Sequence, residues 1–302
     1  MESATTTVAL GHERSLAAVA RDYVTLTKPR IIALLLVTTV TTMIAADGAL
    51  PSMGTLLWTM LGGYLAAGGA GAINHYIERD RDARMSRTRA RPIVEGRIKP
   101  LHALAFGIGL GALAVLVLAL MVNVLAAVLA LSGLLGYVFV YTLWLKPRTP
   151  SNIVIGGAAG AVPPLVGWAA ATGGLAPEAL YPFGIVFLWT PPHFWALSLL
   201  IKDEYARVGV PMLPVVKGET ATRHQIVLYS LLLVAFSLMP VATGFLGGIY
   251  AATAVVLGVG FLALAGLLVR NPTRSAALRL HLASLAYLAL LFSAMAVDRL
   301  VL

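Results

Sequence analysis

The sequence has no cysteine and few charged residues. Only 12% of its 302 residues are Asp, Glu, Lys or Arg, about half the share expected of a soluble domain. Without cysteine there can be no disulfide and no thiolate metal site, so any bound metal needs oxygen or imidazole ligands. The remaining composition is 59% hydrophobic, with a mean hydropathy of +0.87. These values argue against a soluble globular protein and against a disordered chain.

The apolar residues fall into nine runs of about 20 residues, the length that crosses a bilayer core as a helix. We therefore predict an all-α, polytopic membrane protein. We expect a single transmembrane domain over residues 1–302, in which residues 1–29 form an N-terminal segment. The predicted spans are 31–46, 54–76, 102–122, 124–143, 152–172, 179–201, 224–246, 248–269 and 279–298.

The basic residues are distributed unevenly between the two ends of the spans. Of the 22 Lys and Arg residues, all but Arg299 fall in the N-terminal segment or in loops that alternating spans place on the same side. The positive-inside rule assigns this side to the cytoplasm, so we predict a protein of the cytoplasmic (inner) membrane with a cytoplasmic N-terminal segment. The net charge of +9 then reflects membrane orientation, and we predict no nucleic-acid partner.

Paired prolines interrupt two consecutive spans, at Pro163–Pro164 and at Pro191–Pro192. Proline has no N–H and disturbs the helix around it, and the carbonyls it frees need protein or water partners inside a membrane. Two such sites in neighbouring spans indicate either a central cavity or simple packing kinks. The sequence alone does not choose between them.

Oxygen-bearing side chains recur every four residues at the end of the second span, at Asn74, Glu78 and Asp82. If the helix continues to this point, the spacing places all three on one face. Oxygen ligands of this kind suit Mg²⁺, which is usually held by a few carboxylates together with substrate phosphates. The alternative is a polar helix end whose carboxylates pair with neighbouring arginines.

Basic residues follow this cluster, and a second acidic cluster ends the sixth span. Arg87 and Arg91 could bind diphosphate oxygens. Lys202, Asp203 and Glu204 lie on the same membrane face. We expect the two clusters to bracket a diphosphate through Mg²⁺ ions, which would stabilise the leaving diphosphate.

The segment from Asn74 to Pro92 has the pattern NxxxExDxDxxxxRTxxRP, which resembles the first signature of the UbiA superfamily of intramembrane prenyltransferases. Further blocks extend the resemblance over nearly the whole chain. They are Leu26–Arg30, Leu145–Asn152, Gly156–Trp168, Pro192–Leu197 and Glu204–Pro214. Within the superfamily they resemble the branch that farnesylates heme.

This chain departs from the superfamily pattern at two points. Glu78 and Glu204 stand where many relatives have Asp, which keeps the charge and lengthens the reach by one methylene. The usual second DxxxD motif is also absent, because Asp203 is followed four residues later by Arg207. Asp203 and Glu204 are therefore expected to take the place of that motif.

The resemblance implies nine helices around a central cavity and a cytoplasmic active site. It implies transfer of the farnesyl group of farnesyl diphosphate to a vinyl group of heme B, with addition of water, to give heme O and diphosphate. Protein partners would be heme A synthase or assembly factors of terminal oxidases. The implied catalytic and Mg²⁺-binding residues are Asn74, Glu78, Asp82, Asp203 and Glu204. The implied diphosphate-binding residues are Arg87, Arg91, Lys146, Arg148 and Lys202.

His193 is an ionisable residue within the sixth span, directly after a proline pair. Ionisable residues inside the membrane are candidates for function. Given the resemblance, we expect His193 to face the heme pocket and to bind the iron or orient the porphyrin. The alternative is a neutral histidine that bonds a carbonyl freed by the prolines.

Two other functions fit parts of the sequence. One is a prenyltransferase of the same superfamily whose acceptor is a precursor of a quinone or of chlorophyll. The other is a secondary transporter, since interrupted helices and polar residues within spans are typical of transporters. Transporters place charged groups near the bilayer midplane, whereas this chain has nearly all of its acidic residues outside the spans or at their ends.

Overall fold

The computed structural model describes residues 15–302. The first half of the predicted N-terminal segment, with Arg14, lies outside the described residues. Within residues 15–302 the chain forms helices and no β-strand. The helices are α1 (Leu16–Thr27), α2 (Pro29–Asp47), α3 (Met53–Asp82), α4 (Pro100–Met121), α5 (Val124–Leu135), α6 (Asn152–Thr172), α7 (Leu180–Leu200), α8 (Lys202–Arg207), α9 (Leu213–Val216), α10 (Gly218–Ser237), α11 (Met239–Ala242), α12 (Gly248–Arg270) and α13 (Arg274–Val301).

Nine stretches of helix in the described part of the chain are long and apolar enough to cross a membrane. They are α2, α3, α4, α5 with the π-helix Gly136–Leu145 that continues it, α6, the 3₁₀ turn Pro177–Ala179 with α7, α10 with α11, α12, and α13. The predicted all-α, nine-span architecture is confirmed. The bounds differ most at the seventh span, which runs over Gly218–Ala242 rather than 224–246. The α3 helix continues to Asp82, six residues beyond the predicted end of the second span, as the predicted metal-binding face requires.

Local signals in the sequence explain where the spans begin and end. The Ser52 hydroxyl accepts a hydrogen bond from the Thr55 N–H at 3.1 Å and so caps α3. Pro29 and Pro100 occupy the first turn of α2 and α4, where a missing N–H has no cost. Gly173 ends α6 in the left-handed conformation, with φ 73°.

The spans pack through small residues. α2 lies against α6 and also against α13, so the first and last spans are neighbours. A Cβ added at Gly167 of α6 would lie 2.2 Å from the backbone oxygen of Thr39 in α2. A Cβ at Gly69 of α3 would lie 2.7 Å from the backbone oxygen of Gly107 in α4. Close backbone approach of this kind is what glycine permits between membrane helices.

Most polar connections lie at one end of the spans, which we call the basic face. It carries the turn-rich segment 83–99 after α3, the segment 146–151 and the short helices α8 and α9. The helix α1 is fixed to this face, because Arg97 of the segment 83–99 donates to the buried carboxylate of Asp22 at 3.1 Å.

Candidate functional site

The end of α3 at the basic face carries three buried oxygen-bearing side chains. Asn74, Glu78 and Asp82 are between 2% and 5% exposed. The amide nitrogen of Asn74 donates to Glu78 Oε2 at 3.0 Å, as expected for residues four apart on one helical face. The structure therefore brings together the first predicted cluster.

Each of these side chains has a basic partner from another segment. Lys28, between α1 and α2, donates to Asn74 Oδ1 at 2.7 Å. Lys146 Nζ lies 2.5 Å from Glu78 Oε1. Arg91 forms an ion pair with Asp82. Burial disfavours the charged form of Lys146, but the Glu78 carboxylate outweighs it, so the pKa of Lys146 is raised.

Lys28 was not among the predicted site residues. Within residues 15–302 it is the only non-glycine residue with a positive φ, 59°, and this left-handed backbone joins α1 to the proline that begins α2. Burial, followed by the positive charge of Arg91, lowers the pKa of Lys28 to about 7. The signal in the sequence is a lysine followed by proline next to the first span, within the Leu26–Arg30 block of the resemblance, but no site role was predicted for it.

The π-helix Gly136–Leu145 places a further partner beside Asn74. Thr142 Oγ1 lies 3.3 Å from the Asn74 amide nitrogen and donates to the backbone oxygen of Tyr137 at 2.9 Å. π-helical turns are rare in proteins, and those that are found often lie at functional sites. Lys146 follows this segment directly, and its backbone N–H bonds the Tyr141 oxygen. Nothing in the sequence indicated a π-helix here.

The second acidic cluster is divided in the structure. Glu204 accepts a hydrogen bond from Ser86 of the segment 83–99, and its second oxygen is buried without a hydrogen-bond partner among the described residues. The neighbouring Tyr205 is buried, and this burial raises the pKa of its hydroxyl. Asp203 is exposed, and Lys202 forms an ion pair with Glu219 of α10.

Two further predicted residues are exposed and form no ion pair with the buried group among the described residues. Arg148 is exposed and donates to the backbone oxygens of Leu143 and Trp144, both at 3.0 Å. Arg87 is also exposed, in the segment 83–99. Of the ten residues predicted at the diphosphate and metal sites, the structure thus joins Asn74, Glu78, Asp82, Arg91 and Lys146 directly.

The oxygen donors fit a magnesium ion that arrives with a phosphate ligand. Within residues 15–302, no group of three or more His, Cys, Asp or Glu side chains is placed to hold a metal ion. Mg²⁺ does not need such a group, because it usually takes one or two carboxylates and completes its shell with phosphates and water. Glu78 and Asp82 supply two carboxylates, and the Asn74 amide and the unpartnered oxygen of Glu204 are further oxygen donors.

An apolar cavity of about 240 Å³ begins beside Lys28 and extends between α2, α3, α5 and α6. Pro163 lines it, as do Ala159 and Gly160, whose carbonyls lose their helical donors to the proline pair. The expected cavity is therefore present at the first proline pair. No residue of the second pair, or of α7, is among the described residues that line it.

His193 faces α13 rather than this cavity. Its Nδ1 lies 2.6 Å from Ser284 Oγ, and its ring stacks between Trp189 and His281. His281 of α13 is thus its direct neighbour. His281 lies on the last span, 88 residues further along the chain, so no local pattern predicts this contact.

The comparisons with known proteins agree with this geometry. The model of the UbiA prenyltransferase family matches residues 35–292. The chain belongs to the UbiA prenyltransferase family. Its fold is that of solved members: a structure of digeranylgeranylglyceryl phosphate synthase superposes with a TM-score of 0.78 at 17% identity, covering 94% of this chain and 99% of that one. A UbiA homolog from Archaeoglobus fulgidus, bound to DMAPP and Mg²⁺, gives a TM-score of 0.64 at 16% identity over 91% and 99%.

Relatives in sequence carry a more specific name. The protoheme IX farnesyltransferase of Symbiobacterium thermophilum is 55% identical over 93% of this chain and 94% of its own length. The protoheme IX farnesyltransferase of Roseiflexus sp. (strain RS-1) is also 55% identical over 93% of this chain, but over only 53% of its own length. The chain spans about half the length of this and several other relatives that it matches. It is thus a multi-pass membrane protein of the UbiA prenyltransferase family.

Proposed function

We propose that this protein transfers the farnesyl group of farnesyl diphosphate to a vinyl group of heme B, with addition of water, to form heme O and diphosphate. The observation that carries the proposal is the 55% identity to the Symbiobacterium protoheme IX farnesyltransferase over 94% of that protein. The buried group at the end of α3 and the adjoining apolar cavity are what a prenyl diphosphate requires: a polar site for its head and an apolar site for its tail.

Asn74, Glu78 and Asp82 would hold Mg²⁺ together with the diphosphate, and Glu204 of α8 would add a further ligand. When bound, Mg²⁺ would neutralise charge on the departing diphosphate. Arg91 and Lys146 would bind diphosphate oxygens, and so would Lys28, which lies beside both the Asn74 amide and the cavity. Arg87, Arg148, Lys202 and Asp203 remain proposed contacts at the rim of the site.

The apolar cavity would take the farnesyl tail. It is continuous with Lys28, so a diphosphate bound at the end of α3 can direct its isoprenoid chain between α2 and α6. The walls exclude water from the first carbon of the chain as the bond to diphosphate breaks. The allylic cation then forms where the vinyl group is the available nucleophile. His193 would hold heme B as the acceptor.

We further propose that the whole chain is one transmembrane domain in the cytoplasmic membrane, with the basic face and its active site in the cytoplasm. The placement of the basic residues supports this orientation. The proposed partners are heme A synthase and assembly factors of terminal oxidases, which would take up the product.

A transporter is the less favoured alternative. The buried carboxylates at α3 lie at its end at the basic face, and each is paired with a cation. A transporter would place its charged groups near the midplane.

The identity of the acceptor can be tested by supplying the two candidate acceptors in separate reactions. Purified protein in detergent would be given farnesyl diphosphate, Mg²⁺ and either heme B or an aromatic quinone precursor, and release of diphosphate would be measured. We expect heme B to stimulate release and the quinone precursor to have no effect. If only the quinone precursor stimulates diphosphate release, that precursor and not heme B is the acceptor. If neither compound leads to diphosphate release, the protein does not transfer prenyl groups.

A further inference from the structure

His193 is held between two aromatic rings. Its imidazole lies 4.1 Å from the Trp189 ring and 4.4 Å from the His281 ring, measured between centroids, with interplanar angles of 17° and 28°. Trp189 precedes it by one turn of α7, and His281 comes from α13. The stack leaves the imidazole little freedom to tilt.

Ser284 of α13 connects all three of these residues. It is fully buried. Its backbone oxygen accepts from Trp189 Nε1 at 2.7 Å. Its hydroxyl donates to the backbone oxygen of His281 at 2.6 Å and lies 2.6 Å from His193 Nδ1.

These bonds determine which nitrogen of His193 carries the proton. A serine hydroxyl has one proton, and here it is given to the His281 carbonyl. The short contact with His193 is then a hydrogen bond only if Nδ1–H donates to the serine oxygen. The neutral imidazole therefore keeps its lone pair at Nε2.

The Nε2 atom of His193 is available to a ligand. It has no hydrogen-bond partner among residues 15–302, and the side chain is only half-buried. A histidine that binds a metal through one nitrogen almost always donates the other N–H to a fixed acceptor, which sets the tautomer and the direction of the ring. Ser284 supplies such an acceptor.

We propose that Ser284 is a positioning residue of the heme site: it holds His193 in the Nδ1–H tautomer, so that Nε2 coordinates the iron of the heme substrate. This inference rests on the proposed function, in which heme B is the acceptor. The acceptor site would then be formed by residues of two spans, α7 and α13, that are distant in the sequence.

The depth of His193 suits this role. It lies seven residues before the end of α7, and Asn74 lies eight residues before the end of α3, so both are roughly 10 Å below the basic face at 1.5 Å per residue. Heme bound at His193 would thus share the depth of the diphosphate site.

His281 is the competing ligand. Its Nδ1 lies 3.2 Å from the backbone oxygen of His193, so it also carries its proton on Nδ1 and has a lone pair on Nε2. Two imidazoles stacked face to face cannot both bind one iron, whose axial ligands approach from opposite sides. We assign the bond to His193 because its acceptor is the nearer and is fully buried.

The test is an optical titration of the purified full chain with heme B. Ser284→Ala should weaken heme binding about 10- to 100-fold and change the Soret band, and Ser284→Thr, which keeps the hydroxyl, should restore both. His193→Phe, which keeps the ring stack, should abolish the imidazole–iron spectrum, whereas His281→Phe should retain it. Iron-free protoporphyrin IX should bind all variants alike, and the exposed His224→Ala serves as a surface control.

Wild-type affinity and spectrum in Ser284→Ala would overturn the positioning role. Loss of the spectrum in His281→Phe, with retention in His193→Phe, would overturn the choice of ligand. Binding of farnesyl diphosphate serves as the test of folding for every variant. If Ser284→Ala no longer binds farnesyl diphosphate, the similarly sized Ser284→Cys is used instead, and its heme affinity and Soret spectrum are judged in the same way. Heme O formation by the wild type tests the proposed function separately. If the wild type makes heme O while the variants bind heme as the wild type does, only the positioning role of Ser284 is refuted.

Discussion

At the scale of single residues, the site pairs each oxygen-bearing side chain of α3 with a cation. Arg91 and Lys146 neutralise the buried carboxylates of Asp82 and Glu78, which could not otherwise remain charged away from water, and Lys28 donates to the Asn74 amide. In the proposed reaction, a diphosphate with its magnesium ion would give both sides better partners: the carboxylates would bind the metal, and the cations would bind phosphate oxygens. The ion pairs would then keep the site formed until the substrate arrives.

Glu78→Gln and Asp82→Asn each remove one of the proposed metal ligands with little change in shape. We expect turnover to fall roughly 100-fold or more, with a higher Mg²⁺ concentration for half-maximal rate, because a neutral amide is a weaker ligand. Asp80→Asn is the matched control, since this carboxylate is on the exposed side of the same helix end. Wild-type turnover of Glu78→Gln or Asp82→Asn at limiting Mg²⁺ would exclude that residue as a ligand.

Lys28→Met tests the residue that the sequence did not identify as part of the site. Removing its charge should raise the KM for farnesyl diphosphate on the order of tenfold, the effect of one charge-assisted hydrogen bond. Arg30→Met removes an exposed charge two residues away and should leave the KM unchanged. Equal effects of the two variants would mean that Lys28 acts only through the general surface charge.

At the scale of helices, the packing of α2 on α6 depends on glycine. A methyl group at Gly167 would meet the backbone of Thr39, which cannot move aside without shifting α2. We predict that Gly167→Ala destabilises the protein by about 1–3 kcal/mol or more and lowers its melting temperature in detergent. The control is Gly266→Ala in α12, where an added Cβ meets nothing within 4 Å and should have no destabilising effect. Equal melting temperatures for the two variants would contradict this close contact.

Some features of the helices could be predicted from the sequence and others could not. Hydrophobic length set the number of spans, and the spacing of Asn74, Glu78 and Asp82 gave their common face once α3 was known to continue. The π-helix before Lys146 and the contact of His193 with Ser284 could not be predicted. The first depends on a backbone hydrogen-bond pattern with no residue signature, and the second joins spans that are about 90 residues apart.

At the scale of the whole molecule, orientation depends on the side that holds the basic residues. The chain has no cysteine, so single cysteines can be placed without background labelling. We predict that Leu175→Cys, in the connection between α6 and α7, reacts with an impermeant maleimide in intact cells. Arg89→Cys, in the segment 83–99, should react only after the membrane is opened. The reverse pattern would place the basic face outside the cytoplasm.

In the proposed function, these spans bring farnesyl diphosphate and heme B together in one reaction. The direct measurement is to incubate the purified protein with heme B, farnesyl diphosphate and Mg²⁺ in ¹⁸O-labelled water and to identify the porphyrins by mass. We predict a product heavier than heme B by one farnesyl group and one labelled hydroxyl, with diphosphate released in equal amount. Unchanged heme B beside farnesyl diphosphate that has been consumed would contradict it.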